Sequence, residues 1–372
     1  MATSSAASLY QPDAPRHFIA PFNLQSDRIK RLLLINFERD PDREYIGFEP
    51  QLFDNANKGQ GLLVIGWRRD GRLDVYHQPS LRLTHADYEM VAKGAADLIP
   101  CDFGPNHFEI TARGIDLDLR FNDKFERAVV LRIVESHPKP RQPFGLLAPF
   151  PSSTEKPPNL PLPLLYDFYF VRRAHTEIDI SIDGRQQTLD RLPAPIDWSW
   201  VYFVRYAADP LILTWNANYE GPLTPHSITG KGSLEADGLI YELVENAGRC
   251  EIAAMRPADV HHDVCFTFDP PFPDLAALRE GAARRGTFRI DMEAALGDVS
   301  GDYVVERHGT QVQMSLHPSG GWRPGVRRWS IRIIFLLVSL FRKWPQWYRW
   351  QATLDLSQPD APHLQARWEK FK

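Results

Sequence analysis

Cysteine is almost missing from this sequence: Cys101, Cys250 and Cys265 are the three in 372 residues, far apart and without a C-x-x-C spacing. So sparse and odd a count argues against a disulfide framework and fits a reducing compartment. Long apolar runs are missing too. The longest, Ile333 to Phe341, has about half the length a membrane-spanning helix needs. Met1 to Arg16 is small, polar and proline-bearing, without the apolar core of a secretory signal, so the expected location is cytoplasmic. Excess charge is scarce: a formal net charge of −4 gives no reason to expect nucleic acid as a partner. Phosphate-binding glycine loops, a G-x-S-x-G elbow and an H-E-x-x-H helix are all absent. An enzyme built on this chain would rely on shape and a proton donor, and no cofactor is expected. His261-His262-Asp263 invites a metal ion, but neighbours on a strand point to opposite faces. A loop flanking a strand is the better reading, and no metal site is expected.

What the chain does have is aromatic and alternating. Phe, Tyr and Trp make up 12% of residues, and short apolar–polar alternations recur throughout. Arg31–Phe37, Gly61–Arg68, Ile115–Phe121 and Ala128–Val134 are examples in the first half; His175–Ile182, Ser199–Tyr206 and Gly286–Met292 follow later. Arg69-Asp70-Gly71, Asp183-Gly184 and Asp237-Gly238 are turns of the kind that join hairpins. Two short helices are expected, over His85–Leu98 after a Thr84 cap and over Leu275–Arg285. Between Ser136 and Leu165 nine prolines in thirty residues mark a boundary, mixed with Phe144, Leu146, Leu147 and Phe150 as in a segment that wraps a surface. The predicted fold is mainly β: two consecutive antiparallel β-barrels or sandwiches with few short helices. Its parts are a flexible N-terminus (1–25), a first domain (26–135), a proline-rich linker (136–165) and a second domain (166–372).

Two stretches stand out. The first is Leu192-Pro193-Ala194-Pro195-Ile196-Asp197-Trp198-Ser199-Trp200-Val201-Tyr202-Phe203, which follows a strand and its Asp183-Gly184 turn and runs on toward Trp215. An acid set among tryptophans after such a turn resembles the lipocalin-like family that includes carotenoid 1,2-hydratase and AttH-type proteins. The resemblance covers residues 30 to 357 in layout and 166 to 216 in residue pattern. It implies two consecutive lipocalin-like barrels, water addition to an alkene without a cofactor, or, as in fungal decalin-forming cyclases of lipocalin type, ring closure. Trp198 stands where the hydratase pattern has the histidine that follows the acid, and prolines replace an upstream glycine.

In a cavity, Asp197 would be the catalytic acid, because burial disfavours its charged form and lets it deliver a proton. The π-faces of Trp198, Trp200, Tyr202, Trp215 and Tyr169 would bind substrate and stabilise a cation. On an alternating strand Trp198, Trp200 and Tyr202 share a face and Asp197 lies on the other. The competing reading makes the tryptophans core packing and Asp197 the end of a turn. Glu177, Asp179, Asp116 and Asp118 read as solvated strand faces, and Arg172, Arg173 and His175 as a surface cluster or a carboxylate site.

The second stretch lies at 322–350. No acidic residue occurs from Arg307 to Leu354, while five of the ten tryptophans do (Trp322, Trp329, Trp344, Trp347, Trp350), among Arg323, Arg327, Arg328, Arg332, Arg342, Lys343 and Arg349. Trp329, Phe335, Arg342, Lys343, Trp344 and Trp347 are the residues expected at a membrane surface, where tryptophan sits at head-group depth and arginine meets anionic lipid. The alternative is an element that completes the second barrel with its arginines reaching out to water. Three functions stay open. One is a cofactor-independent hydratase or cyclase acting on a hydrophobic isoprenoid or polyketide-like small molecule in a β-barrel cavity. Another is a non-catalytic lipid or pigment carrier, peripheral on the inner membrane face. The third is an accessory protein that binds another protein.

Overall fold

The computed structural model describes residues 9–12, 17–89, 91–149, 157–228 and 232–370. The fold is mainly β, built from several large antiparallel sheets; Phe150 and its neighbours to 156 lie outside the described residues.

The first large sheet has nine strands. Leu24–Asn36 is central, because its two halves pair in succession with Leu211–Trp215 and Val201–Ala208, two pieces of one run interrupted at Asp209-Pro210. The same two pieces pair on their other side with Leu160–Arg172, which carries Phe144–Leu147 at the edge. On the opposite flank follow Tyr45–Asn55, Gly59–Arg68, Leu73–His77 and, as the parallel member, Ala95–Pro100. A five-stranded sheet packs against this one: Gly104–Thr111, Gly114–Asn122, Ala128–Glu135, Thr176–Ile182 and Arg185–Gln186. Its alternation is that of a half-buried sheet. Leu117, Leu119, Leu131, Ile133 and Ile180 are fully buried, and Phe121 meets Phe48 at 6.2 Å and Tyr76 at 4.8 Å. The other face carries Asp116, Asp118, Arg120, Arg132, Glu177 and Asp179; Arg132 reaches Glu177 at 3.3 Å across the strands. Those acids are the solvated face their spacing implied.

The second unit is a ten-stranded antiparallel sheet that includes Ser233–Ala236, Leu239–Asn246, Arg249–Pro257, Cys265–Phe272, Ala283–Asp291, Asp298–His308, Gln311–Arg323, Tyr348–Asp355, His363–Lys370 and, at the edge, Tyr219–Pro222. It curls round a filled interior. Trp215 touches Phe266 and Phe288 from middle strands (4.9 and 5.5 Å) and Trp368 from a late one (6.1 Å). Phe22 likewise stacks on Phe268 (5.7 Å) and meets Phe272 and Trp350 (5.0 and 5.7 Å).

This pairing moves the expected boundaries. The strands from Leu160 to Trp215 belong to the sheets of the first half, so Ser136–Leu165 is not the crossing; the chain passes over between Trp215 and Tyr219. Asn216, fully buried, marks the passage: its carbonyl accepts from the Trp368 indole N–H at 2.7 Å. The N-terminal stretch read as flexible is built in wherever it is described. Tyr10 bridges to Leu278, His17–Phe18 pairs with His226–Ser227, and Phe22 lies in the second unit's core. Both expected helices shrink. His85–Tyr88 is a single 3-10 turn, after which Ala95–Pro100 is strand, and Leu275–Ala282 is turns leading into the strand from Ala283. A docking edge won over helical spacing in both places.

Burial of charge in the core is matched by pairing. Arg172, nearly inaccessible, donates to Glu135 at 2.5 Å and to the carbonyl of Lys139 at 2.9 Å. It is therefore a buried strut of the first unit and not part of a surface cluster with Arg173 and His175. Asp74, fully buried, accepts from Tyr45 at 3.0 Å and Lys124 at 2.9 Å. His262 joins the two units: it stacks on Tyr166 at 3.8 Å between Asp209 (3.3 Å) and Glu293 (2.9 Å). The three cysteines are partly buried and free, and burial pushes the Cys101 thiol up to about 11, away from reactive thiolate chemistry.

Candidate functional site

The acid-and-tryptophan stretch folds as a hairpin tip. Ile196 and Ser199 exchange both backbone hydrogen bonds (2.9 and 2.8 Å), leaving Asp197 and Trp198 as the two central residues. Both have positive φ, 49° and 63°, the signature of a type I′ turn. The same turn recurs at Asp183-Gly184 (52° and 76°) and Asp237-Gly238 (50° and 77°), each with the glycine that positive φ favours. At the Asp197-Trp198 turn a tryptophan occupies the glycine position. Ile196, 1% exposed, anchors the base, while Trp198 is 94% exposed and Trp200 52%.

Asp197 lies beneath that tip. One of its oxygens, Oδ2, accepts from the Tyr169 hydroxyl at 3.1 Å and from Arg328 Nη1 at 2.5 Å. Burial, and then the Asp197 charge beside it, push the Tyr169 hydroxyl well above its ordinary range. Arg328 also donates to the carbonyl of Pro143 at 3.2 Å and sits over the Phe144 ring at 5.3 Å. The hairpin is thereby tied to the residue that immediately precedes a helix, Trp329–Leu337.

That helix is apolar on two faces. Ile331 and Phe335 point inward, Phe335 packing against Trp322 (5.1 Å), Phe341 (4.9 Å) and Phe144 (6.2 Å). Trp329, Ile333, Leu336 and Leu337, at i, i+4, i+7 and i+8, form a second stripe that faces outward, with Trp329 70%, Leu336 64% and Leu337 76% exposed. Seven of the ten large hydrophobic side chains exposed among the described residues lie on the hairpin tip or on this helix and its following Val338. Arg342 and Lys343 close the next short helix, Ser339–Lys343, where cations suit the carbonyl end. Among the described residues, Arg173, Arg191, Arg327, Arg332, Arg342 and Lys343 have no acidic partner in ion-pair range. Elsewhere exposed cations commonly do, as in Arg28–Asp209, Lys30–Asp54 and Arg256–Glu242.

The residues expected round a substrate thus point into different places. Trp198 and Trp200 face solvent, Tyr202 is half-buried, Tyr169 is buried beneath the hairpin, and Trp215 fills the interior of the second unit. Of those expected at a membrane surface, Trp329, Arg342 and Lys343 are exposed and Trp347 is half-buried. Phe335 and Trp344 are corrected: both are core, Trp344 against Tyr348 at 5.4 Å. Leu336, Leu337 and Ile333 are the exposed apolar side chains of this stretch beside Trp329. Their outward position is legible from the i, i+4, i+7 spacing only once the helix start at Trp329 is fixed. No helix among the described residues is long and apolar enough to cross a membrane.

Two grooves lie along the seam of the units. The larger, about 870 Å³, opens between the unjoined end strands Tyr219–Pro222 and Ser233–Ala236, with Ala20–Gln25 as its floor. Gly238 is required here: it lies at positive φ, and a Cβ would meet the Leu24 carbonyl oxygen at 2.1 Å. The smaller groove, about 450 Å³, shares Leu24, Gln25 and Gly238 and is lined by Asp27, Asp87 and Asp259 with Lys58. The smaller groove is the more polar; the larger has mixed walls, with Phe22, Leu24, Leu223 and Leu364 beside Asn23, Gln25, Glu235 and Asp237. Both are open grooves, unlike the enclosed aromatic pocket a hydrocarbon substrate calls for.

No family model, curated protein or solved structure matches this chain.

Proposed function

We propose that this is a non-catalytic, peripheral lipid-associated protein that docks on an anionic bilayer surface through the outer stripe of the Trp329–Leu337 helix. The observation that carries the reading is that stripe: Trp329, Ile333, Leu336 and Leu337 exposed side by side. Tryptophan prefers head-group depth, and leucine side chains gain about 25 cal/mol per Å² on leaving water. Arg327, Arg332, Arg342 and Lys343 border the stripe, and each cation near an anionic leaflet contributes about 1 kcal/mol. Hydratase or cyclase chemistry has less support. Asp197 accepts two hydrogen bonds on one oxygen at a surface turn, and its proposed aromatic partners do not surround it.

Wild-type protein should float with phosphatidylcholine vesicles containing phosphatidylserine and stay behind with pure phosphatidylcholine. Raising salt toward about 0.5 M, which shortens the Debye length well below 10 Å, should weaken the binding. The double variant Trp329→Ala/Leu336→Ala should lose at least about tenfold in partitioning, with folding unchanged by circular dichroism. Equal flotation of variant and wild type, or none by either, defeats the reading.

A further inference from the structure

We propose that the Ile196–Ser199 hairpin is a second bilayer anchor, with Trp198 inserted at head-group depth and the Asp197–Arg328 ion pair holding it beside the helix anchor. This rests on the bilayer-docking reading and adds a separate element of the chain to it. The backbone of this turn is costly for a tryptophan. Side chains disfavour positive φ, and the comparable turns at Asp183-Gly184 and Asp237-Gly238 use glycine. A tryptophan at φ 63° and 94% exposed gains nothing from the fold that a glycine would lose. Exposed hydrophobes on strained turns belong to sites that act outside the fold.

Asp197 and Arg328 are bonded at 2.5 Å, and the next residues along the chain are Trp198 and Trp329, so the ion pair sets the two exposed indoles on neighbouring elements. Tyr169 and the Pro143 carbonyl hold the pair from below. Pro193 and Pro195 restrict the entry to the hairpin, which lowers the entropy lost when the tip is immobilised. Arg173 donates its backbone N–H to the Trp200 carbonyl at 2.8 Å and Arg191 bridges to Tyr202, and both guanidinium groups are exposed without an acidic partner among the described residues. Cations of one sign bordering both exposed tryptophan elements complement an anionic lipid surface. Asp197 acts as a positioning residue whose own charge is neutralised by Arg328.

The test is flotation of the full chain with vesicles about one-third phosphatidylserine. Trp198→Ala should lower the bound fraction roughly tenfold in partition coefficient, the scale set by burying one indole at an interface. Asp197→Asn keeps a residue that tolerates the turn but removes the partly buried ion pair; a loss of about threefold in partitioning with a slightly lowered melting temperature is expected. Trp198→Gly should lower binding as far as Trp198→Ala while raising the melting temperature, a combination that a merely structural tryptophan would not give. If Trp198→Ala floats like wild type while Trp329→Ala/Leu336→Ala does not, the hairpin anchor is overturned and the helix reading stands. If wild type itself fails to float, both fall. A dimer in solution that Trp198→Ala converts to monomer, without flotation of either, would overturn the proposal in favour of a contact between two copies of this chain.

Discussion

Replacing Trp215 by alanine is expected to destabilise the protein by about 3–5 kcal/mol, read as a fall in the urea midpoint at unchanged slope. The side chain is fully buried and touches Phe22, Phe266, Phe288 and Trp368 within 6.3 Å. It belongs by its strand to the first large sheet, since Leu211–Trp215 pairs with Leu24–Asn36 and Leu160–Arg172, yet its ring fills the second unit. Removing the ring leaves a void bordered by aromatics from strands of both units, and such a site cannot collapse without pulling the sheets together. The indole Nε1 has no hydrogen-bond partner among the described residues, so Trp215→Phe gives up volume and no polar contact. Its cost should stay below about 2 kcal/mol, in the range of conservative core swaps. A substrate-binding tryptophan in an open pocket behaves otherwise: its removal leaves stability nearly unchanged. A Trp215→Ala variant as stable as wild type would show that the interior is not packed as described.

Trp215 also illustrates what the sequence could and could not disclose. Alternation over Ile115–Phe121 and Ala128–Val134 identified strands, and the Asp183-Gly184 and Asp237-Gly238 pairs identified their hairpins, because period and turn chemistry are local. Sheet membership is not local. Nothing in Leu160–Arg172 says that it will pair with Leu211–Trp215 and reach Leu24–Asn36 through it, so the proline count between Ser136 and Leu165 predicts a boundary where Phe144–Leu147 and Pro161–Pro163 are strand. Pro161 and Pro163 are tolerated because Phe144–Leu147 pairs with this strand only from Leu164 onward, so Leu160–Pro163 has a strand partner on one side alone. The two unusual stretches were visible as composition, an acid among tryptophans and an acid-free basic segment. Their juxtaposition was not, since Asp197 and Arg328 lie 131 positions apart and only folding brings them to 2.5 Å. Separating Trp344 and Phe335, which pack inward, from Trp329 and Leu336, which do not, likewise needs the helix phase relative to Trp322 and Phe341.

Stability should also fall as pH rises from about 4 to about 7, and Asp274→Asn should abolish the part of that fall that comes from one carboxyl group. Asp274 is 5% exposed, its Oδ1 has no hydrogen-bond partner among the described residues, and its backbone N–H donates to the Tyr10 hydroxyl at 3.3 Å. Burial pushes its carboxyl up from 3.8 to about 7; Arg249 and the backbone N–H groups of Ala277 and Ala276 pull the other way, and Glu251 adds to the rise. Between those two values the folded chain holds a proton that the unfolded chain has already released, so deprotonation favours unfolding across that window. Above about pH 7 both states are ionised and the penalty is constant. Each pKa unit is worth about 1.4 kcal/mol, which sets a ceiling of about 4 kcal/mol and an expected gain of about 2–4 kcal/mol for the asparagine variant above neutrality. Near pH 4 the gain should vanish, since the native aspartic acid is then already neutral. The same cluster holds the N-terminal segment, with Tyr10 bonded to Glu251 and Arg249 donating to the carbonyls of Gln11 and Pro12 at 3.0 and 3.2 Å. The stabilisation should therefore appear also as slower proteolysis at Tyr10–Pro12 at pH 8 than in wild type. Urea midpoints of the two proteins compared at about pH 4.5, 6 and 8 decide the matter. A difference that is the same at all three would mean that Asp274 is ionised in the folded state throughout, and the buried-acid account would be wrong.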